Sequence, residues 1–413
     1  MTETVPRAQP GVGALKPLVT TVFVPAAIFG IGQGAAAPIM AVTARDLGAS
    51  ITVAGLIVAL GGLGAVLGDL PAGRIVSRFG ERRSIIGGSA LGATGVVICL
   101  FAATPWVLGI GALLTGLANA VWGLARQSYL AETVPLSLRA RAMSSFAAMW
   151  RLGFFLGPLI GAGVILMMGT RGGFLVQLVG VLLAGALMAR VSDPPRTVDA
   201  SGGEHRPVTL TDILGRHRAP LSTLGIGSVL MGAARASREA VLPLWALHLG
   251  LDAAQVSVIF GVGAAVDLLC SYPAGHIMDR YGRRLVAVPS LTVIGVSYLL
   301  LPLSTGALGL TAVAVVMGIG NGLGNGVIMT LGADIAPPDE RAEFLAAWRL
   351  THDTGMFGGP LAIGVLAAAV PLGWAFAVLG ATSFAGAAVM HRYIPRYSPA
   401  PSVAAQADRG RSG

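Results

Sequence analysis

Pro273-Ala-Gly-His-Ile-Met-Asp-Arg-Tyr-Gly-Arg-Arg284 closes one long apolar run and opens the next. The chain carries it twice. Pro71-Ala-Gly-Arg-Ile-Val-Ser-Arg-Phe-Gly-Glu-Arg82 repeats seven of the twelve positions at an offset of 202 residues. An Arg-rich turn trapped between two hydrophobic stretches, once in each half, describes a duplicated helical membrane protein. The offset persists downstream: Pro135 matches Pro337, Arg139 matches Arg341, Gly153 matches Gly355, and Gly157-Pro158 matches Gly359-Pro360. A parallel duplication relates two six-span halves by an axis along the membrane normal and puts a central site between them.

The composition agrees. Of the 413 residues 54% are hydrophobic and 11% charged, with a mean hydropathy of +0.76; a soluble chain carries about 25% charged residues. The net charge of +9 is spread over short inter-span turns with no continuous basic face, which excludes nucleic acid as a partner. Cys99 and Cys270 lie in apolar runs and read as small buried hydrophobes, with no disulfide framework. No cluster has metal-ligand spacing, no triad-like set marks an enzyme, and Gly30-Ile31-Gly32 lies inside an apolar run with no strand before it. No metal or cofactor is expected.

Apolar blocks of about 20 residues, the length of a membrane-crossing helix, place twelve spans near 18–43, 52–74, 84–103, 106–130, 142–168, 173–191, 220–246, 253–276, 285–304, 307–331, 343–368 and 372–391. They divide into an N-terminal segment 1–17, a six-helix bundle 18–191, a polar linker 192–219, a second bundle 220–392 and a disordered tail 393–413. The first apolar run is long enough to stay as a span, so no cleavable signal is expected. Arginines crowd the even-numbered turns, whereas the odd-numbered turns carry only Arg45 and Arg171. Both termini are therefore expected in the cytoplasm. Lys16 is the one lysine, an arginine bias that fits a GC-rich bacterial genome and a bacterial plasma membrane.

These residues resemble the major facilitator superfamily over nearly the whole chain. The family's signature, Gly-x-x-x-Asp-Arg-x-Gly-Arg-Arg, is complete at Gly275, Asp279, Arg280, Gly282, Arg283 and Arg284. The first copy keeps Gly73, Arg78, Gly80 and Arg82, with Arg83 just beyond, but Ser77 replaces the acid and Glu81 an arginine. The resemblance implies a cytoplasmic gating network at these turns, with Asp69 a substitute acid in the first half. Span five, with Gly153, Gly157, Pro158 and Gly161, is similar to the antiporter motif of drug-efflux members. Close helix packing is the competing reading, and Pro360 in span eleven repeats the feature. Two family features are absent: span four has no central arginine, and span one has no acid. Arg126 near the end of span four reads as a snorkelling side chain.

Ionisable groups at membrane depth are costly and face a partner or an aqueous cavity. They are Arg151 in span five, Arg235, Arg238 and Glu239 in span seven, Asp267 in span eight, and Arg349, His352 and Asp353 in span eleven. Arg151 and Asp267 sit at matching depth, about 13 Å at 1.5 Å per residue, and are expected to pair across the halves. Arg349 has two candidate partners, Asp69 and, within its own helix, Asp353; Arg235 has Glu239 one turn away. The resemblance implies that spans one, four, seven and ten line the cavity, which adds Gln33, Asn119, Trp122, Asn321 and Asn325. The expected function is proton-coupled export of small amphipathic compounds by a monomer embedded in the bilayer, working by alternating access. The alternatives are a metabolite or organic-anion carrier and, from another class, a non-transporting receptor or scaffold.

Overall fold

The computed structural model describes residues 18–134, 136–190, 210–337 and 340–398. Every described regular element is helical. The twelve spans are Val24–Asp46 with a π turn Val19–Phe23 before it, Ile51–Phe79, Glu81–Leu100, Pro105–Thr133, Leu136–Met168, Arg171–Ala189, Arg218–His248, Ala253–Tyr281, Arg284–Leu300, a broken tenth made of Gly306–Leu323 and Val327–Ile335, Arg341–Ala369, and Leu372–Tyr397. Ten of these helices are apolar enough to cross a membrane by composition alone. Spans seven and eleven are not among them, and these two carry five of the buried-depth charges together with His352.

The helices outrun the apolar blocks because the polar motif is itself helical. Span two runs on to Phe79 and span eight to Tyr281, and each stops at a glycine with positive φ, Gly80 at 84° and Gly282 at 96°. A side chain is strained in that region, which accounts for glycine at both motif positions. At the other end Ser50 caps span two by accepting from Val53 N at 3.2 Å, and Asp252 with Gln255 forms a capping box on span eight. Gly73 and Gly275, by contrast, face open space.

The internal repeat survives as packing. A Cβ at Gly153 would lie 2.0 Å from Ala27 O, and one at Gly355 2.0 Å from Val229 O. Gly157 and Gly359 meet Ile31 O and Ala233 O at 2.3 Å; Gly116 and Gly318 meet Gly61 O and Gly263 O at 2.0 and 2.3 Å. Each pair is displaced by the same 202 residues. Span five thus lies backbone to backbone on span one as span eleven does on span seven. The polar turns repeat as well: Arg82 Nε donates to Ala189 O at 2.7 Å, and Arg284 Nη2 lies 2.7 Å from His391. The chain is an all-helical membrane protein of two pseudo-symmetric six-helix bundles.

The bundles meet along spans two and eleven and along spans five and eight. The tightest approaches sit at the end away from the Arg-rich turns. A Cβ at Gly55 would lie 2.9 Å from Gly364 Cα, and one at Gly261 2.8 Å from Leu159 Cδ2. Span eight opens along its length: between Val256 and Ala264 Val258 alone is exposed, whereas from Ala265 to Pro273 no residue is buried. Glycine contacts join the halves at that far end, an ion pair between Arg349 and Asp69 joins them nearer the Arg-rich end, and span eight is less covered there.

The stretches expected as linker and tail are only partly described, since 191–209 and 399–413 lie outside the described residues. Within the expected linker, Leu210–Arg216 is a helix. It is pinned by Arg216 and His217, which both engage Glu340 in the turn before span eleven, His217 at 2.9 Å. Span twelve continues past its expected end, where Thr223 Oγ1 donates to the Tyr397 hydroxyl at 3.3 Å and Ser398 Oγ to Asp334 at 2.7 Å. Gly355→Val puts two methyls and a Cβ against backbone that has no rotamer to change, and is expected to destabilise by about 1–3 kcal/mol. Gly73→Ala meets nothing within 4 Å and is expected to stay within about 0.5 kcal/mol. Thermal unfolding of the purified variants checks both.

Candidate functional site

Asp267 is the midpoint of span eight, about 21 Å from either end at 1.5 Å per residue. Its two oxygens are fully engaged. Asn321 Nδ2 donates to Oδ2 at 2.5 Å, Asn325 Nδ2 donates to Oδ1 at 2.6 Å, and Arg238 Nη1 lies 3.6 Å from Oδ2. The side chains of Arg238 and Asp267 are only 10% and 14% exposed. Arg235 donates to Asn325 Oδ1, which fixes that amide with its nitrogen toward Asp267 and Ser271. All the donors suit a charged carboxylate, and burial of a charge is tolerable only with such a shell.

The break in span ten makes this shell. Helix ends at Leu323 and restarts at Val327 after Gly326, whose φ is 83°. The intervening amides take shorter-range acceptors, Asn325 N to Gly322 O at 3.2 Å and Val327 N to Gly324 O at 3.3 Å. Irregular backbone at membrane depth is tolerated where it is buried in protein or lines a cavity. Here it swings Asn325 onto Asp267 and Ser271. The sequence signal is the Gly324-Asn325-Gly326 triplet, in which glycine flanks the amide on both sides.

The expected Arg151–Asp267 bridge is absent, because Asp267 is satisfied from its own half. Arg151 makes no hydrogen bond or ion pair among the described residues, yet lies within electrostatic reach of Asp267 and Arg235 across the midline. Beside it Trp150 stacks on Phe154 at 5.2 Å, Phe154 meets Phe260 of the other half at 6.1 Å, and Arg238 lies over Phe260 at 5.2 Å. The Arg235–Glu239 pair is also absent, since Arg235 reaches to span ten instead. Among the described residues Glu239 has no hydrogen-bond or ion-pair partner, and it adjoins Arg238 in the chain.

Between spans two and eleven both candidate partners of Arg349 are taken at once. Nη2 lies 3.3 Å from Asp69 Oδ1, and Nε 3.3 Å from Asp353 Oδ2. One guanidinium thus bridges two carboxyl groups, Asp69 from the first half and Asp353 from the second. Ser77, in the motif position, donates to Arg74 O at 3.1 Å. In the second motif Arg283 Nε pairs with Asp334 at 2.9 Å, while Asp279 is exposed. Arg78 and Arg280 lie over their neighbours Phe79 and Tyr281, and Arg83 is exposed.

Gln33, Asn119 and Trp122 line one small cavity within the first bundle. Gln33 and Asn119 pair with each other at 3.1 and 3.3 Å. Trp122 is 1% exposed and stacks on Phe29 at 3.8 Å, inside the first bundle around a small internal cavity lined also by Thr115 and Gln177. His352 packs onto span seven, where a Cβ at Gly232 would lie 2.3 Å from its carbonyl oxygen. Arg126 does not snorkel. Its guanidinium lies 3.7 Å from the Phe146 ring centroid and 4.4 Å from that of Trp122, with Nε and Nη1 buried and unbonded. Nothing in its spacing marked that; an aromatic on each side in the fold replaces the aqueous interface. Gly153 and Gly157 serve close packing, as their counterparts in span eleven do, and Gly161 meets Ala35 Cβ at 3.2 Å.

The Major Facilitator Superfamily model matches residues 22–266 and 224–413. An uncharacterised transporter of that type from Methanocaldococcus jannaschii is 22% identical over 342 residues, 82% of this chain and 88% of the relative. The multidrug resistance protein MdtG of Klebsiella pneumoniae is 29% identical over 195 residues, 46% of this chain and 47% of the relative. Among solved structures, a nucleoside transporter, NupG, superposes with a TM-score of 0.73 at 13% identity, over 89% of this chain and 97% of that one. A D-xylose–proton symporter superposes with 0.71 at 17% identity, over 92% and 99%. A duplicated twelve-helix fold with a polar site at the seam between its halves is thus joined by a family match along the described chain, and the protein is a multi-pass transporter belonging to the major facilitator superfamily.

Proposed function

We propose that the chain exports small amphipathic compounds across a bacterial plasma membrane in exchange for protons, with the Arg-rich turns and both termini in the cytoplasm. The arginine asymmetry of the turns supports that orientation. The partial likeness to a multidrug resistance protein supports export.

The observation that carries the proton reading is the Asp69–Arg349–Asp353 triad. It ties the two halves together through one cation shared by two carboxyls. A proton arriving on either carboxyl withdraws one of the two anions holding Arg349. The tie then weakens, and the population shifts between states that expose the site to opposite sides. Arg349 is 46% exposed, so screening limits the tie to about 1 kcal/mol, roughly a fivefold change in population. Asp267, by contrast, is the anchor of the central site, held by Asn321, Asn325 and Arg238.

Two measurements test this. Spin labels at Phe79→Cys and Tyr281→Cys, on a background lacking Cys99 and Cys270, report the separation of the Arg-rich ends. Asp69→Asn is expected to change the ratio of short to long distances about fivefold; an unaltered distribution sinks the tie. In cells stripped of their own exporters, the intact chain is expected to lower accumulation of amphipathic compounds, and a protonophore to abolish the effect. Arg349→Gln should abolish it too. Accumulation indifferent to the protonophore counts against proton exchange.

A further inference from the structure

Donors exceed acceptors at the midplane. Three guanidinium groups, Arg151, Arg235 and Arg238, come within electrostatic reach of one another around Asp267. That carboxylate is already committed to Asn321, Asn325 and Arg238. Arg235 bonds a neutral amide. Arg238, nine-tenths buried, leaves Nε with no acceptor. Arg151 has no bonded partner at all among the described residues. Glu239 is the one further acid nearby and it adjoins Arg238, not Arg151. His352 is turned to span seven. Buried guanidinium groups without acceptors forfeit their strongest interactions, so a site of this kind gains most from a ligand that brings an anion.

We propose that the central site takes compounds whose anionic group, a carboxylate or its sulfonate or phosphate equivalent, is attached to an aromatic or apolar body. This rests on the transport reading above and names the substrate class for it. The anion meets Arg151 and the free Nε of Arg238. The apolar body lies along Trp150, Phe154 and Phe260, which run from span five to span eight across the midline. Because Arg151 comes from one half and Arg235 and Arg238 from the other, such an anion draws the halves together. A neutral or cationic analogue offers no such gain and, if cationic, is repelled by three like charges.

Three probes with one ring system test this on the purified full chain in lipid nanodiscs. They are tritiated indole-3-acetate, and unlabelled indole-3-acetamide and tryptamine as competitors. Indole-3-acetate is expected to bind saturably, with the amide at least tenfold weaker and tryptamine without effect. Arg151→Gln should weaken indole-3-acetate about ten- to hundredfold, the worth of one charge-assisted contact, with Arg151→Lys less affected and Arg171→Gln unchanged. Equal competition by tryptamine or the amide overturns the proposal. So does absence of saturable binding of indole-3-acetate, or undiminished binding in an Arg151→Gln protein whose unfolding midpoint matches the parent. If Arg151→Gln does not fold, the three-probe comparison on the parent decides. Flux in vesicles separates the two readings. Gradient-driven movement of tryptamine alone leaves proton-coupled transport standing and removes the anion class. Arg151-dependent binding with flux blind to the gradient does the reverse.

Discussion

A charge in the interior of a bilayer must be met by another group or by water, and most of this structure follows from how that demand is satisfied. Spans seven and eleven are too polar to be counted as membrane helices by composition. They cross nonetheless because their charges point at neighbours, Arg238 at Asp267 and Arg349 at Asp69 and Asp353. Both sets lie where the two bundles face each other, so the cost of burying these charges is offset at the seam. An ion pair inside one rigid bundle would merely stabilise it. One shared between bundles makes its own strength depend on how the bundles sit, and that dependence is what a transporter needs.

The motion has to be confined to the seam for this to work, and the glycines provide that. Where a Cβ would lie 2.0–2.3 Å from a facing carbonyl oxygen, as at Gly153, Gly157, Gly355 and Gly359, the helices are in backbone contact and have no side chains to repack. Such interfaces slide poorly. Spans one and five, like spans seven and eleven, therefore move as units. The seam contacts at Gly55 and Gly364, at 2.9 and 2.7 Å, are looser and join different bundles, and toward the Arg-rich end span eight is less covered. Rigid halves joined by glycine contacts at one end and by a breakable ion pair nearer the other have the mechanical form that alternating access needs.

How much of this was legible in the sequence depends on the range of the interaction. The duplication, the twelve spans and the left-handed glycine caps are local or periodic, and Pro71–Arg82 and Pro273–Arg284 displayed them directly. Arg349's two partners were also readable, because one lay a turn away and the other at matching depth. Depth alone misled for Arg151 and Asp267. It says which residues share a plane, and not which of several donors in that plane reaches first; Asn321 and Asn325 did so because span ten breaks. Trp122 and Arg126 misled for the related reason that a helix assigned to the cavity has another face. Their stack with Phe29 and Phe146 is made by spans one, four and five together, and no single span's periodicity contains it.

The 202-residue register turns those failures into evidence about how the halves came to differ. Gln33 and Asn119 correspond to Arg235 and Asn321. In the first bundle they close on each other as a neutral amide pair between spans one and four. In the second, the equivalent arginine bypasses Asn321 for Asn325, four residues on, which has a counterpart in Gly123 within an unbroken helix. Asp267 corresponds to Ala65, and Arg238 to Ala36. The second bundle thus replaced a self-sufficient polar contact with a charged one, and the acid it acquired demanded extra donors. Breaking span ten supplied them. The first bundle contributes its own charge at Arg151, which corresponds to Asp353, so that each half places one ionisable group of opposite sign at the same position facing the other. The repeat kept the scaffold symmetric and made the chemistry asymmetric: one half carries a fixed, satisfied acid and its shell, and the other a cation still lacking its anion.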